Sequence, residues 1–275
     1  MASILCNNGA GVIGWRDENN TAGLWKLCTN GSNAYWHYNQ SSGWWYLFNA
    51  GGTIGWRQKW FTVLLGSLPI GSIVKFNVKG ALKNFIVVQH GRPAASYDAS
   101  FDGGTILFSE ATFDTRYSWW PNATDTVWMY WGSNMLCYAL EREYLDNMDA
   151  ALRQHVKTVY IPCGHATASG TVGVQLMPYR VFAPSHKELG FSASAFTAAA
   201  PNDGEIWAYR AAGGALPTGE WWTRTPVRFG SSSRSAVTSN MGSVNSAPVD
   251  ITIRATAAMV LPQSMPVNTD GTLVY

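Results

Sequence analysis

Charge is what this sequence lacks first. Only 13% of its 275 residues are Asp, Glu, Lys or Arg, and the net charge is +2. Ordinary soluble domains carry about 25%. So weak a field argues against electrostatic capture of nucleic acid or of an anionic membrane. Long apolar runs are missing too: no stretch of about 18 residues could form a spanning helix, so no membrane insertion is expected. The opening "MASILCNNGAG" has neither a basic leader nor a long apolar segment, and the expectation is synthesis in a cytosol without export by the usual route. Cysteine is sparse. Cys6, Cys28, Cys137 and Cys163 form no CxxC pair and no zinc spacing, which reads as buried thiols. A Cys6–Cys28 bridge is open but unsupported. EF-hand spacing is also missing, so neither a cofactor nor a metal is expected.

What the chain has instead is tryptophan and glycine, 14 and 27 of them. Aromatic surface with little charge suits sugar binding, interface burial or assembly contacts. Half of the tryptophans (Trp15, Trp25, Trp36, Trp44, Trp45, Trp56 and Trp60) fall within residues 1–66. Within that segment "GVIGWRDEN" at 11–19 is echoed by "GTIGWRQKW" at 52–60. The echo reads either as paired strands or as equivalent corners of one small β module. Residues 1–66 are therefore expected to form a Trp/Gly-rich β module for attachment or oligomerisation, ahead of a second domain over 67–275.

In the second domain, Val74, Phe76 and Val78 alternate with polar residues, and Lys79-Gly80 predicts a hairpin turn into "NFIVVQ". A further strand is expected over 103–113. Leu140, Tyr144, Leu145, Met148, Leu152 and Val156 recur at helical spacing, which predicts one long helix over 139–156. A shorter helix is expected around 124–131, then a strand over 157–162 ended by Pro162. Ser185 and Glu188 are spaced as a capping box, which predicts a short helix start. Strands, then helices, then strands make the fold class α+β, mixed but mainly antiparallel.

Near the end, "GEWWTRTPVRFGSSSRSAVTSNMGSVNSAP" (219–248) places a polar tract between apolar anchors. Trp221, Trp222 and Arg224 read as scaffold. Arg228, Phe229, Ser231, Ser232, Ser233, Arg234, Ser235, Thr238, Ser239, Asn240, Ser243, Asn245 and Ser246 form the candidate binding surface, expected as a displayed loop. Small hydroxyl and amide groups give adaptable hydrogen bonds, with Arg and aromatic anchors supplying energy. A second aromatic surface is Trp119, Trp120, Trp128, Tyr130 and Trp131, read by default as core or interface. Cys163-Gly-His165 brings a thiol near an imidazole in sequence, yet a nucleophile also needs an orienting third group. Helix carboxylates such as Glu141 and Glu143 read as a solvated face. No catalytic residue is assigned, and the chain is not expected to be an enzyme.

"WWTRTP" at 221–226 and "IRATAAMVLP" at 253–262 carry a resemblance. With "IGSIVKFNVKG", "FIVVQHGRPAASYDASFDGG", "YLDNMDAALRQHVKTVYIP" and "FAPSHKELGF", they resemble in order a family from phages and prophages of gut Firmicutes, marked by a "WWLRSP"-type signature. Thr223, Thr225 and Ala255 depart from it, standing where the family has Leu, Ser and Pro. The family is similar to the C-type-lectin-like fold, which includes the variable proteins of diversity-generating retroelements. The resemblance implies a lectin-like display domain over 67–275 and a protein of the bacteriophage virion surface, on tail or capsid, made in the host bacterial cytoplasm. It also implies a hypervariable C-terminal tract that serves host attachment by binding a host-cell glycan or protein. The N-terminal module would contact other virion proteins, and a homo-oligomer is expected, with a trimer as one candidate. The alternative is a structural decoration protein without receptor binding.

Overall fold

The computed structural model describes residues 3–7, 13–17, 25–29, 32–39, 44–49, 52–58, 62–112, 115–118, 129–130, 135–166, 172–191, 203–229, 232–238, 244–248 and 252–275. Through residue 62, at 117, 129–130, 135, 165–166 and 172, and from 227 to 248 it describes the backbone alone. The chain divides into two units, Met1–Phe61 and Thr62–Tyr275. This boundary lies five residues before the expected one.

The first unit is β throughout its described residues. Strands β1 (Ser3–Asn7) and β2 (Ile13–Asp17) form one hairpin. Strands β3 (Trp25–Thr29), β4 (Ser32–Asn39), β5 (Trp44–Asn49) and β6 (Gly52–Gln58) form an antiparallel meander. The two Gly-x-Ile-Gly-Trp-Arg copies lie on β2 and β6 and do not pair with each other. Each closes its own hairpin, with matching pairs at the Gly-Trp-Arg positions, although Ile13 pairs with Asn7 while Ile54 falls at a register shift. Leu5 faces Trp15 and Cys6 faces Gly14, as Tyr46 faces Trp56 and Leu47 faces Gly55. The echo thus marks equivalent hairpins rather than partner strands.

The second unit is mixed α+β, with mostly antiparallel sheets and few helices. Strand β7 (Thr62–Leu64) opens it. Strands β8 (Ile73–Val78) and β9 (Ala81–His90) make the expected hairpin. Its turn residues, Lys79 and Gly80, have φ of 55° and 71°, the left-handed pair that a two-residue hairpin turn needs. Strand β10 (Gly104–Ser109) pairs with β9. Two short strands follow, β11 (Tyr117–Ser118) and β12 (Met129–Tyr130). Helices α1 (Met135–Tyr144) and α2 (Ala150–Arg153) come next, then strands β13 (Val159–Ala166), β14 (Val172–Tyr179) and β15 (Val181–Phe182). A single turn α3 (Ala208–Ala211) precedes β16 (Trp221–Phe229), β17 (Ser232–Thr238), β18 (Val244–Pro248), β19 (Thr252–Ala255), β20 (Ala258–Pro262) and β21 (Pro266–Asn268).

Two five-stranded sheets, ordered β15-β20-β10-β9-β8 and β11-β19-β16-β17-β18, carry most of this unit. Sheet β12-β13-β14 and the pair β21-β7 complete it. The core is aromatic: Phe76 stacks on Phe85 at 4.1 Å, and Phe108 meets Trp207 and Trp221 at 5.5 and 6.0 Å.

Four local expectations are corrected. The single helix over 139–156 is two helices. The Asn147 amide donates to the carbonyls of Arg142 and Glu143, which ends α1, and the Asp149 carboxylate accepts from Ala151 N–H, which starts α2. The apolar stripe is buried all the same. Pro162 does not end its strand. It sits inside β13 opposite Leu176, where its missing N–H is tolerated if that group faces away from the partner. Met129–Tyr130 is strand rather than helix, and the rest of 124–131 lies outside the described residues. Ser185 and Glu188 do form the capping box: Glu188 N–H donates to Ser185 Oγ at 3.2 Å, and Ser185 N–H donates to the Glu188 carboxylate at 2.8 Å. They open one turn only, ended at Gly190 with φ 80°.

Candidate functional site

Strand β16 leads from the core into the polar tract. Its first six residues, Trp221–Pro226, are all buried, and Trp221, Trp222 and Arg224 have no exposed surface. A buried guanidinium is tolerable only when its charge and its five N–H groups are met, and here each is. Nε donates to Pro162 O at 3.1 Å. One terminal nitrogen donates to Ala183 O at 3.0 Å and Glu188 Oε2 at 2.6 Å. The other donates to Glu188 Oε1 and to Asp203 O, both at 2.7 Å. The guanidinium also lies 5.7 Å from the centre of the Phe182 ring. Burial alone would lower the Arg224 pKa, but Glu188 more than offsets it and holds the group above its ordinary value.

Glu188 thus closes the capping box and neutralises Arg224 at once. Tyr97 donates to Glu188 Oε1 at 2.6 Å and accepts from Glu205 N–H at 3.2 Å. Burial, then the neighbouring Glu188 charge, raises the Tyr97 pKa well above its usual value. Gly204 lets the chain pass at this point, because a Cβ there would collide with Ser185 Oγ and press on Glu188 and the Tyr97 hydroxyl.

A second buried group leans on the first. Thr225 Oγ1 donates to Asp203 Oδ1 at 3.1 Å and accepts from His186 N–H at 3.0 Å. His186 Nδ1 lies 3.1 Å from the same hydroxyl and 3.8 Å from Asp203 Oδ1. Burial pushes Asp203 up to about 7. Burial, with Lys187 and Arg224 nearby, lowers His186 to about 4. The imidazole is therefore neutral at pH 7, while Asp203 keeps its proton well above the usual carboxylate range. Asp203 Oδ2 and Trp207 Nε1 are buried without a hydrogen-bond partner among the described residues.

This cluster is buried, and its hydroxyls are engaged in internal hydrogen bonds. The Cys163 thiol is buried and its pKa is raised by desolvation, which keeps it protonated and inert. The His165 side chain lies outside the described residues. Among the described residues, no group of three or more His, Cys, Asp or Glu could hold a metal ion. A cleft of about 730 Å³ beside α1 is lined by Tyr138, Arg142, Asp146 and the Lys79–Glu143 ion pair. Its charges are mixed and select no single ligand class.

Beyond Pro226 the same strand carries the tract. The expected loop is corrected here: most of it is an antiparallel meander, β16-β17-β18. Arg228 and Phe229 end β16 opposite Ser233 and Ser232. Arg234 and Ser235 of β17 face Val227 and Pro226 on one side and Pro248 and Ala247 on the other. Thr238 ends β17, and Asn245 and Ser246 lie on β18 opposite Val237 and Ala236. Ser and Thr take up strand geometry readily once a neighbouring edge supplies the ladder. The pairing slips between Trp222 and Pro226, so the irregularity sits where Arg224 is held. Ser231, Ser239, Asn240 and Ser243 lie outside the described residues, as do the side chains of the other tract residues. Trp119, Trp120, Trp128 and Trp131 of the second aromatic surface also lie outside them, with the Tyr130 side chain.

Sequence reasoning missed Tyr97, Asp203, His186 and the second role of Glu188. Glu188 had a local signal, its three-residue spacing from Ser185. Its partner Arg224 stands 36 residues away, where no periodicity reaches.

A family described as a domain of unknown function, DUF6273, matches residues 102–261. The match spans more than half of the chain, and the chain belongs to that family. No curated protein and no solved structure matches it.

Proposed function

We propose that this DUF6273 member is a non-catalytic binding protein whose second unit holds a polar strand meander out to a foreign surface. The carrying observation is the division of β16. Its first half is locked by a fully satisfied, buried Arg224–Glu188–Tyr97 cluster, and its second half enters the Ser-, Asn- and Arg-bearing meander. A stiff base under adaptable polar side chains lowers the ordering cost of recognition. The lectin-like form and the phage setting rest on the resemblance of the "WWTRTP" and "IRATAAMVLP" segments. With them, the reading becomes a virion surface protein that uses residues 228–246 to bind a host-cell glycan or protein. Several copies per particle would multiply shallow contacts into firm attachment.

The test is binding of the labelled full-length chain to whole cells of a panel of gut Firmicutes. Arg228→Ala combined with Arg234→Ala is expected to weaken binding to the responsive strain about tenfold or more, with the melting temperature unchanged. Equal binding by wild type and the double variant would overturn the tract as the binding surface.

A further inference from the structure

We infer that the edge of β14 facing away from β13 is a self-association site, through which a second copy of this chain pairs antiparallel about Val174. The argument starts from two prolines. In the β13–β14 ladder Tyr160 faces Pro178 and Pro162 faces Leu176. A proline has no N–H to give, so these must be the non-hydrogen-bonded pairs of an antiparallel ladder. Every second residue of β14 (172, 174, 176 and 178) therefore turns its backbone polar groups away from β13. Two contacts agree with this parity. Arg180 N–H, next in that series, donates to Glu141 of α1 at 2.9 Å, and Pro162 O, outward on the other strand, accepts from Arg224.

Helix α1 thus occupies the edge at residue 180, and Pro178 blunts it. Along 172–176, β13 is the only strand paired to β14 among the described residues. Val174 and Leu176 are 42% and 43% exposed, and Tyr160 beside them is 45% exposed. An open strand with outward apolar side chains is a template for another strand. What selects a second copy is self-complementarity. Val172–Tyr179, "VGVQLMPY", contains no charge, so two copies meet without repulsion. Centring the pair on Val174 sets Val172 opposite Leu176 of the second copy. Residues 172, 174 and 176 then all fall in hydrogen-bonded pairs, giving about six backbone bonds. A register shifted by one residue would set outward groups against inward ones.

So short a strand pair falls below the roughly 1,200 Å² of a stable interface. The association is therefore weak and concentration-dependent, and twofold rather than threefold. It stands independently of the receptor reading.

Sedimentation of the full-length chain over rising concentration tests it. The apparent mass of the wild type should climb towards twice the monomer. Val174→Lys, which sets two lysines directly opposite each other across the axis with Cα atoms about 5.5 Å apart, should stay monomeric, while Gln175→Lys should follow the wild type. Under mild oxidation Val174→Cys should form a disulfide-linked dimer well above the wild-type background. Gln175→Cys should not, because its Cα atoms would lie beyond the about 7 Å that a disulfide spans. A monomer at every concentration overturns the inference, as does association that Val174→Lys leaves intact or equal cross-linking from both cysteine variants. Circular dichroism identical to wild type confirms that each variant is folded.

Discussion

Asp203 and His186 share one buried hydroxyl and shift in opposite directions, so their effects on stability oppose each other. Asp203 rises from an ordinary 3.8 to about 7. Between those values the folded state holds a proton that the unfolded state has lost, so stability falls as pH rises through the window. His186 drops from 6.5 to about 4. There the unfolded state binds the proton first, so stability falls as pH drops from 6.5 towards 4. The shifts amount to about 4 and about 3 kcal/mol at most, and between pH 4 and 6.5 they nearly cancel. Each substitution should unmask the other slope. Asp203→Asn should lose stability on acidification below pH 6.5. His186→Gln should gain stability on acidification from pH 7 to 4. Urea midpoints measured at half-unit pH steps give both slopes, and parallel profiles for the two variants would refute the assignment.

At the scale of elements, sequence patterning located the apolar faces better than it located the breaks. Val74, Phe76 and Val78 are buried because successive side chains of a strand point to opposite faces, and Lys79-Gly80 turns because a two-residue hairpin demands left-handed backbone. The stripe from Leu140 to Val156 faces the core as expected, yet its helix breaks. Asn147 and Asp149 look like ordinary helix-surface residues until their side chains take backbone partners, Asn147 at the end of α1 and Asp149 at the start of α2. The polar tract misled for a related reason: serine carries little strand signal of its own, and the ladder to β16, the strand just before it, is what holds β17 extended. The Arg224 cluster was half legible, as a buried arginine without its partner. The break itself can be tested. Asp149→Ala removes the cap of α2 and should cost about 1 kcal/mol in thermal denaturation, whereas loss within error would mean that packing of Leu152 alone holds the turn.

For the whole molecule, the decisive fact is where the second unit begins. Composition placed the junction after residue 66, because the tryptophan-rich segment ends there, but pairing places it before Thr62. Val63 faces Val267 and Leu64 faces Pro266 in the β7–β21 ladder. Leu65 is fully buried and its N–H donates to Met265 O at 2.8 Å, while Gly66 N–H donates to Gln263 O at 2.9 Å. These residues tie the entry of the unit to β21 and to the turn before it, which follows directly in the chain on β20 of the β15-β20-β10-β9-β8 sheet. A chain starting at Thr62 should therefore fold alone and unfold in one cooperative urea transition. A chain starting at Ser67 loses the Leu65 side chain and the β7 ladder, and should be less stable by about 3 kcal/mol or more. Coincident urea midpoints for the two chains would show that β7 is an appendage and that composition had marked the true boundary.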